Sequence, residues 1–370
     1  MKKVLFVATV LRGHVLVFHL PYMQWFQRQG YEVHLCCRND TGEPVGEIPG
    51  CDRFIELPFE RSPFSRGNLP VYRRLKALID AEGYALIHCN TPVGGMLGRL
   101  CARDARKRGA KVVYTAHGFH FFTGAPLKNW LFFYPAERFL SRYTDLLVTI
   151  NGEDYRRAQR FHAKRAVQVC GVGVAVERFS APVDVAGVRA GLGFTMEDRL
   201  VICVGEHSRR KNHQTALRAM TLVARAHLLL CGVGEEEENL RRLAVELGIE
   251  RRTHFLGFRD DVPALLGASD VFLFPSYQEG LPMSQMEAMA AGLPCVVSDV
   301  RGNRDLISPG DGGYLRKPDD WRGMGEDIGR LLEDPALRKS MGDRNRRAVI
   351  PYSLDKAQES MAALYRSLLD

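Results

Sequence analysis

Two glutamates in the second half of the chain, Glu279 and Glu287, are the residues whose type and spacing most directly indicate chemistry. They flank the segment Gly280-Leu281-Pro282, which follows an apolar, strand-like run. Carboxylates accept hydrogen bonds from the paired hydroxyl groups of sugars, so both side chains are candidate saccharide ligands. The alternative is that Glu279 only complements the positive end of a helix and that Glu287 is a solvated helix residue.

A helix over residues 282–291 is predicted to position these two carboxylates. Pro282 suits the first turn of a helix, because its missing N–H would have no partner there in any case. Gly292 fits just past the helix end, and Pro294 prevents continuation. The free N–H groups at the start of such a helix can hold a diphosphate or sugar oxygens.

Two further segments are candidates for contact with phosphate. Arg209-Arg210-Lys211 is either a phosphate-binding cluster or a solvated cluster at the start of a helix. Gly232-Val233-Gly234, followed by Glu235–Glu238, resembles a dinucleotide-binding fingerprint but lacks the third glycine at the required spacing. We therefore expect a strand-to-helix turn there, whose acidic run favours the start of the helix, and no bound cofactor.

Composition and charge narrow the class of protein. The 370 residues are 46% hydrophobic, which excludes a disordered chain, and no apolar run reaches the length of a spanning helix. The nine cysteines include no Cys-x-x-Cys pair, which favours free thiols in a reducing cytoplasm.

The charge is unevenly distributed along the chain. Residues 1–180 carry a net charge of +11 and residues 181–370 carry −3. The basic half indicates an anionic partner (phosphate groups, nucleic acid or a membrane surface) or else a dispersed solvated surface.

Short apolar strands alternate with longer amphipathic segments along the whole chain. Runs that are buried on both faces, with helices between them, are typical of parallel sheets built from β-α-β units. The pattern occurs twice, with a break near Gly171-Val172-Gly173. The predicted strands are Val4–Ala8, Glu32–Cys36, Ala85–Cys89, Val112–Ala116, Asp145–Ile150, Ala166–Val169, Leu200–Val204, Ala226–Cys231, Thr253–Leu256, Val271–Phe274 and Cys295–Ser298.

The pattern predicts an α/β protein with two doubly wound, Rossmann-like domains that face one another across a cleft. We expect the domains over residues 1–175 and 176–350, and a C-terminal helix over residues 351–370 that packs back on the first domain. Ligands of such sheets bind at the carboxyl ends of the strands, which is where the candidate residues fall.

Several short motifs accompany the two glutamates. They are Phe18-His19-Leu20-Pro21-Tyr22, Thr115-Ala116-His117-Gly118-Phe119-His120-Phe121, Tyr143-Thr144-Asp145, Thr149-Ile150-Asn151, Arg210-Lys211-Asn212-His213 and Ser298-Asp299-Val300-Arg301-Gly302-Asn303-Arg304-Asp305-Leu306-Ile307. With them the sequence resembles the retaining glycosyltransferases of the GT-B fold, in the large fourth family, whose Glu-x7-Glu motif Glu279 and Glu287 match. The resemblance covers nearly the whole chain and is closest to a bacterial subgroup that makes capsular and exopolysaccharide repeat units.

The resemblance implies roles for the donor side. It implies that Glu279 binds the hydroxyls of the donor sugar and that Glu287 binds the ribose of the nucleotide. Gly280, Leu281 and Pro282 would form the loop at the sugar and the diphosphate. Lys211 matches the lysine that contacts the diphosphate. Glu206 stands where the family has an arginine, and either Arg209 or Arg210 compensates. Phe258 and Arg259 match the segment whose backbone reads the nucleobase.

The resemblance also assigns residues of the first domain, the acceptor-binding one. It places His117 against the donor sugar, with a structural histidine as the alternative. His120 fits a loop-stabilising role as well as a site role. The loop Val10–His19 covers the diphosphate and acceptor in relatives, and Gly13 is its one glycine, so Gly13 is predicted to allow close backbone approach. The catalytic set is thus His117, Lys211 and Glu279.

The implied partners are a nucleotide sugar, most readily a UDP-sugar, and a lipid-linked saccharide. No metal and no cofactor are expected, because no Asp-x-Asp feature is present and cationic side chains can offset the phosphate charge. Leu127–Tyr134 and the basic residues from Arg61 to Lys76 predict peripheral membrane contact, against the alternative of a buried helix and a solvated surface. The expected location is the cytoplasm, at the inner face of the cell membrane.

The sequence therefore predicts a retaining glycosyltransferase that moves a hexosyl or N-acetylhexosaminyl group from a UDP-sugar to a lipid-linked saccharide in surface polysaccharide synthesis. A UDP-sugar 2-epimerase of the same architecture and a catalytically silent partner subunit are the alternatives. A nucleic-acid-binding protein, suggested by the basic charge, is disfavoured because no recognisable nucleic-acid module is present.

Overall fold

The computed structural model describes all 370 residues. The chain divides into two compact units, Met1–Val172 together with Asp355–Asp370, and Gly173–Leu354. We call them the first unit and the second unit, and each is described by itself.

The first unit contains a seven-stranded sheet in the order β3-β2-β1-β4-β5-β6-β7, and every neighbouring pair is parallel. Its strands are β1 Lys3–Val10, β2 Glu32–Arg38, β3 Arg53–Glu56, β4 Leu86–Asn90, β5 Lys111–Ala116, β6 Leu146–Thr149 and β7 Arg165–Gln168. Its helices are α1 Leu16–Phe18, α2 Leu20–Arg28, α3 Asn68–Glu82, α4 Pro92–Cys101, α5 Arg103–Lys107, α6 Leu127–Leu140 and α7 Gly152–Ala158. A π-helical turn at Leu11–Val15 follows β1 directly.

The second unit contains a six-stranded parallel sheet in the order β10-β9-β8-β11-β12-β13. Its strands are β8 Arg199–Val204, β9 Ala226–Cys231, β10 Thr253–Gly257, β11 Val271–Phe274, β12 Cys295–Ser298 and β13 Gly313–Arg316. Its helices are α8 Val176–Ser180, α9 Val185–Gly191, α10 His213–Met220, α11 Glu237–Glu246, α12 Val262–Gly267, α13 Met283–Ala291, α14 Asn303–Leu306, α15 Trp321–Glu333 and α16 Pro335–Ala348. Short 3-10 turns lie at Ser141–Tyr143, Arg209–Lys211, Glu250–Arg252 and Ile350–Tyr352.

Burial on both faces explains why the central strands form. All four residues of β11 are at most 1% exposed, because helices cover both sides of the sheet. The predicted α/β class with two parallel Rossmann-like sheets is confirmed. The prediction missed β3 and β13, which are short edge strands whose side chains are mostly half-exposed.

The last helix, α17 Leu354–Leu369, lies almost wholly within the residues that cluster with the first unit. Tyr365 is fully buried, and its hydroxyl lies 2.9 Å from Nδ1 of His88 on β4. The Tyr365 ring also packs against Trp25 and Phe26 of α2. No helix in the chain is both long enough and apolar enough to cross a membrane.

Candidate functional site

The loop between β11 and α13 carries the first candidate carboxylate. Helix α13 begins at Met283, with Pro282 in an extended conformation just before it, and ends at Gly292 with φ of 82°. The expectation that Pro282 occupies the first helical turn is off by one position, since its carbonyl instead accepts the first helical bond, from the N–H of Met286. The N–H groups of the first three helical residues have no partner within the helix, which favours an anion at this end.

Glu279 is held by two cations from the loop after β8. Its Oε1 lies 2.9 Å from Nζ of Lys211 and 3.1 Å from a guanidinium nitrogen of Arg210. The carboxylate is only 7% exposed. A buried carboxylate is stable only when it is paired, and here the pairing residues are two of those predicted for the diphosphate.

Lys211 is a buried cation beside this carboxylate. Its Nζ also lies 4.4 Å from the centre of the Phe274 ring, at the end of β11. Burial lowers the pKa of Lys211 below its ordinary value, whereas the charge of Glu279 raises it. A cation in this low-dielectric setting acts more strongly on a nearby charge than it would in water.

Asn212 fixes the turn that presents both cations. It has φ of 55°, a left-handed conformation that asparagine tolerates better than most residues. Its amide donates to the backbone oxygen of Pro275 at 3.0 Å, which ties the turn to the β11–α13 loop, and to that of Pro318, after β13, at 2.9 Å. The sequence motif Arg210-Lys211-Asn212-His213 thus combines the two cations that pair with Glu279 and the residue that fixes their turn.

Arg301 and Gly302 support the other side of the same loop, a role that the sequence reasoning did not assign. Arg301 is 3% exposed, and its Nε donates to the backbone oxygen of Glu279 at 2.9 Å. Gly302 has φ of 80°, and a Cβ there would lie 2.5 Å from the backbone oxygen of Gly280. The Ser298–Ile307 motif was the available signal, because it pairs a buried arginine with a glycine.

Glu287 is half-buried in α13 beside a different group of residues. Burial raises its pKa to about 7, partly offset by the charge of Arg178 on α8. Burial raises the pKa of Cys231, at the end of β9, to about 11, and the charge of Glu287 adds a smaller contribution in the same direction.

A cavity of about 400 Å³ opens at the carboxyl ends of β8, β9 and β10. It is lined by Val204, Gly205, Glu206, Cys231, Gly232, Val233, Phe258, Arg259 and Val262. Gly232 allows the two strand ends to approach, because a Cβ there would collide with the backbone oxygen of Gly205. Gly232 and Gly234 thus belong to a turn between β9 and α11, as the sequence indicated.

The two arginines that compete for one role have different surroundings. Arg210 reaches Glu279, whereas the Arg209 side chain is 89% exposed and lies 3.4 Å from Glu236. Arg259 forms two bonds to Asp261, at 2.7 and 2.6 Å, so its guanidinium is fixed at the cavity edge. Glu206 is exposed. Burial lowers the pKa of Lys211, and the charge of Glu206 offsets a small part of that effect.

His117, at the end of β5 in the first unit, lies among other histidines. Its ring centre is 4.7 Å from that of His14 and 5.6 Å from that of His19. Burial lowers the pKa of His117 well below its ordinary value, and the proximity of His14 lowers it further. Nε2 of His117 is buried without a hydrogen-bond partner.

Gly13 and His120 have structural contacts of their own. The backbone N–H groups of Arg12 and Gly13 point to Asp40, at 2.6 and 3.4 Å. A Cβ on Gly13 would have ordinary space, so nothing in this geometry requires glycine there. His120 stacks on Phe133 at 4.7 Å, and its backbone oxygen accepts from Asn129.

The predicted site residues divide between the two units. The second unit brings Lys211, Arg210 and Glu279 together at the start of α13, and it also contains Glu287. His117 and Gly13 belong to the first unit.

Comparison with known families and proteins covers nearly all of these elements. Residues 187–348 match the family of glycosyl transferases group 1, and residues 3–151 match a glycosyl transferase 4-like family. The chain is 40% identical, over all of its length and 97% of the relative, to EpsD of Bacillus subtilis (strain 168), whose name assigns it to the glycosyltransferases. It is 27% identical, over 80% of this chain and 81% of the relative, to UDP-Gal:alpha-D-GlcNAc-diphosphoundecaprenol alpha-1,3-galactosyltransferase of Escherichia coli.

Solved structures share the fold. The crystal structure of Anabaena HepE in complex with UDP superposes with a TM-score of 0.81, at 19% identity, over 99% of this chain and 100% of that one. Sucrose-phosphate synthase from Thermosynechococcus elongatus gives a TM-score of 0.80, at 22% identity, over 100% and 99% of the two chains.

Proposed function

The chain belongs to the group 1 glycosyltransferases, and we propose that it transfers a sugar from a UDP-sugar, with retention of the anomeric configuration, to a lipid-linked saccharide. The names of two relatives support this choice of substrates. HepE was solved with UDP, and the galactosyltransferase of Escherichia coli has a UDP-sugar and a diphosphoundecaprenol-linked sugar in its name.

The observation that carries the proposal is the contact of Glu279 with Lys211 and Arg210 beside the start of α13. A nucleoside diphosphate needs cations and N–H donors for its phosphates and acceptors for its sugar hydroxyls. All three kinds of group occur within this one loop region. Arg210, which is 45% exposed, is the cation free to turn from Glu279 to the diphosphate.

The chemistry follows from where charge develops. As the glycosidic bond breaks, negative charge grows on the leaving diphosphate, where Lys211, Arg210 and the α13 N–H groups stabilise it. Glu279 is already bound to two cations, which makes it a poor nucleophile and base, so it binds sugar hydroxyls instead. A donor phosphate oxygen then accepts the proton of the acceptor hydroxyl on the same face of the sugar.

Nucleoside binding is proposed for the 400 Å³ cavity. Glu287 accepts hydrogen bonds from the ribose hydroxyls, and the backbone of Phe258 and Arg259 reads the base. His117 contacts the donor sugar, and Gly13 belongs to the loop that covers the diphosphate and acceptor.

Membrane contact is proposed for α6 and the loop before α3. Leu127, Leu131 and Phe132 are 61–73% exposed on α6, and Lys128 is exposed beside them. Phe64 is 76% exposed in the segment Arg61–Arg66, and it lines the same cavity of about 160 Å³ as Phe132. Exposed aromatic residues next to cations are typical of surfaces that dock on anionic lipid, the setting in which a lipid-linked acceptor would be presented.

Transfer is tested with purified protein, EDTA, a panel of UDP-sugars and a synthetic lipid-diphosphate sugar. UDP release that depends on the acceptor, with the product anomer matching the donor by NMR, supports the proposal. Sugar interconversion without acceptor would instead identify a 2-epimerase, and no turnover with any pair would identify a silent subunit.

Membrane docking is tested by flotation with anionic vesicles. We expect the L131S/F132S double variant to float less than wild type, and high salt to weaken flotation of both. Leu222→Ser, at an exposed leucine of the second unit, is the matched control and should float like wild type. Equal flotation of all three proteins would refute a role for α6.

A further inference from the structure

Three histidines of the first unit converge at the carboxyl ends of two strands. His14 lies in the π-helical turn after β1, His19 directly precedes α2, and His117 directly follows β5. We call these three residues the imidazole cluster. Because β1 and β5 flank β4 in a parallel sheet, their carboxyl ends lie on the same edge. π-Helical turns are rare and often occur at functional sites, so the position of His14 needs an explanation.

The ring nitrogens of the imidazole cluster are close enough to share one ligand. One nitrogen from each histidine can be chosen so that all three lie within 4.8 Å of one another. Nε2 of His14 and Nε2 of His19 are hydrogen-bonded at 3.0 Å, and a metal ion would replace that bond. A tetrahedral metal ion with bonds of about 2.0–2.1 Å to nitrogen separates its ligands by roughly 3.4 Å, so side-chain adjustments alone would bring the three nitrogens onto one ion.

A fourth histidine shows what a purely structural imidazole looks like in this environment. His88 is bonded at both nitrogens, to Tyr365 at 2.9 Å and to Thr115 at 2.8 Å. In contrast, Nε2 of His117 is buried without any hydrogen-bond partner. Nδ1 of His19 also lacks a partner, whereas its Nε2 faces His14. Buried polar atoms are nearly always bonded, so the unpartnered Nε2 of His117 points to a ligand.

We propose that the imidazole cluster binds one Zn²⁺ ion through one nitrogen each of His14, His19 and His117, with an oxygen ligand in the fourth position. Three imidazoles without a carboxylate suit zinc and its transition-metal neighbours and do not suit Mg²⁺ or Ca²⁺. Three histidines with one open position is also the arrangement of catalytic rather than structural zinc sites.

The consequence for activity rests on the proposed function at one point, the assignment of His117 to the donor sugar. Zinc bound at His117 removes that contact, so Zn²⁺ should inhibit transfer. Metal binding itself does not depend on that assignment and is measured separately.

The test is a Zn²⁺ titration of EDTA-treated, dialysed protein against a chromophoric chelator. We expect one equivalent of Zn²⁺ to bind per chain. His14→Asn and His19→Asn should each weaken binding at least tenfold. His162→Asn, at an exposed histidine of the same unit, is the matched control and should bind like wild type.

Cobalt gives a second readout that does not depend on activity. Co²⁺ should show the intense visible absorption of a tetrahedral site in wild type and lose it in His14→Asn. The proposal is overturned if no stoichiometric binding occurs, if His14→Asn and His19→Asn bind as wild type does, or if His162→Asn abolishes binding. Stoichiometric binding without inhibition would keep the metal site and remove only the contact of His117 with the sugar.

Discussion

The two units present opposite kinds of polar chemistry at the carboxyl ends of their sheets. In the second unit, Glu279 is matched by Lys211 and Arg210, so full charges are held at fixed positions. In the first unit, burial lowers the pKa of each histidine of the imidazole cluster, and two of the ring nitrogens lack partners. One unit therefore holds fixed charges that favour an anion, while the other offers imidazole nitrogens in a desolvated setting.

The largest expected effect is at the fixed charges. Glu279→Gln leaves two cations without their carboxylate and removes the acceptor for sugar hydroxyls, so we expect turnover to fall about 10²–10³-fold. Glu236→Gln is the control, because Glu236 forms its ion pair with the exposed Arg209 and accepts a hydrogen bond from Asn239. Acceptor-dependent UDP release measures both, and equal activity of the two variants would remove Glu279 from the site.

The next effect separates the two arginines. Arg210→Ala removes a cation that contacts Glu279 and should slow transfer about 10–100-fold. Arg209→Ala removes a side chain that is 89% exposed and should change turnover less than about threefold. The reverse order in steady-state kinetics would show that Arg209 is the one that replaces the family arginine.

The support of the loop is tested by Gly302→Ala against Gly310→Ala. Both glycines have φ of 80°, so both substitutions place a side chain at a positive φ that residues other than glycine disfavour. Only Gly302 faces a backbone oxygen, whereas Gly310 has open space. We therefore expect about tenfold weaker donor binding for Gly302→Ala alone. Similar donor affinities for both variants by calorimetry would contradict this role of Gly302.

The smallest effect is a pH dependence at Glu287. With a pKa raised to about 7, its ionised fraction rises between pH 6 and 8. The carboxylate is the better acceptor for ribose hydroxyls, so UDP affinity should rise with pH by roughly five- to tenfold over that range. UDP itself also titrates in this range, and it does so equally with the wild type and with Glu287→Gln. The difference between the two pH profiles therefore reports on Glu287 alone. A wild-type profile parallel to that of Glu287→Gln would remove Glu287 from the ribose.

The sequence was sufficient for elements whose signal is local. Burial on both faces predicted the central strands, and Pro282 with Gly292 predicted α13 to within one residue. The edge strands β3 and β13 lack that signal because most of their side chains are only half-buried. The Glu-x7-Glu spacing singled out both carboxylates, but spacing alone could not show that Glu279 faces Lys211 while Glu287 lies near Cys231.

Contacts between distant parts of the chain were beyond the sequence. His14 and His117 are brought together only by the pairing of β1 and β5 with β4, so no local pattern could reveal the imidazole cluster. Likewise, the bond from Arg301 to the Glu279 backbone depends on the order of β11 and β12. Short motifs drew attention to His117 and Arg301, but only the fold shows which residues they contact.

The most direct test of the central claim is hydrogen–deuterium exchange with and without the UDP-sugar that supports transfer. The account predicts that bound donor protects the backbone N–H groups at the start of α13 and in the turn Arg209–Lys211. Donor binding that leaves both segments unprotected, with protection confined to the first unit, would contradict it.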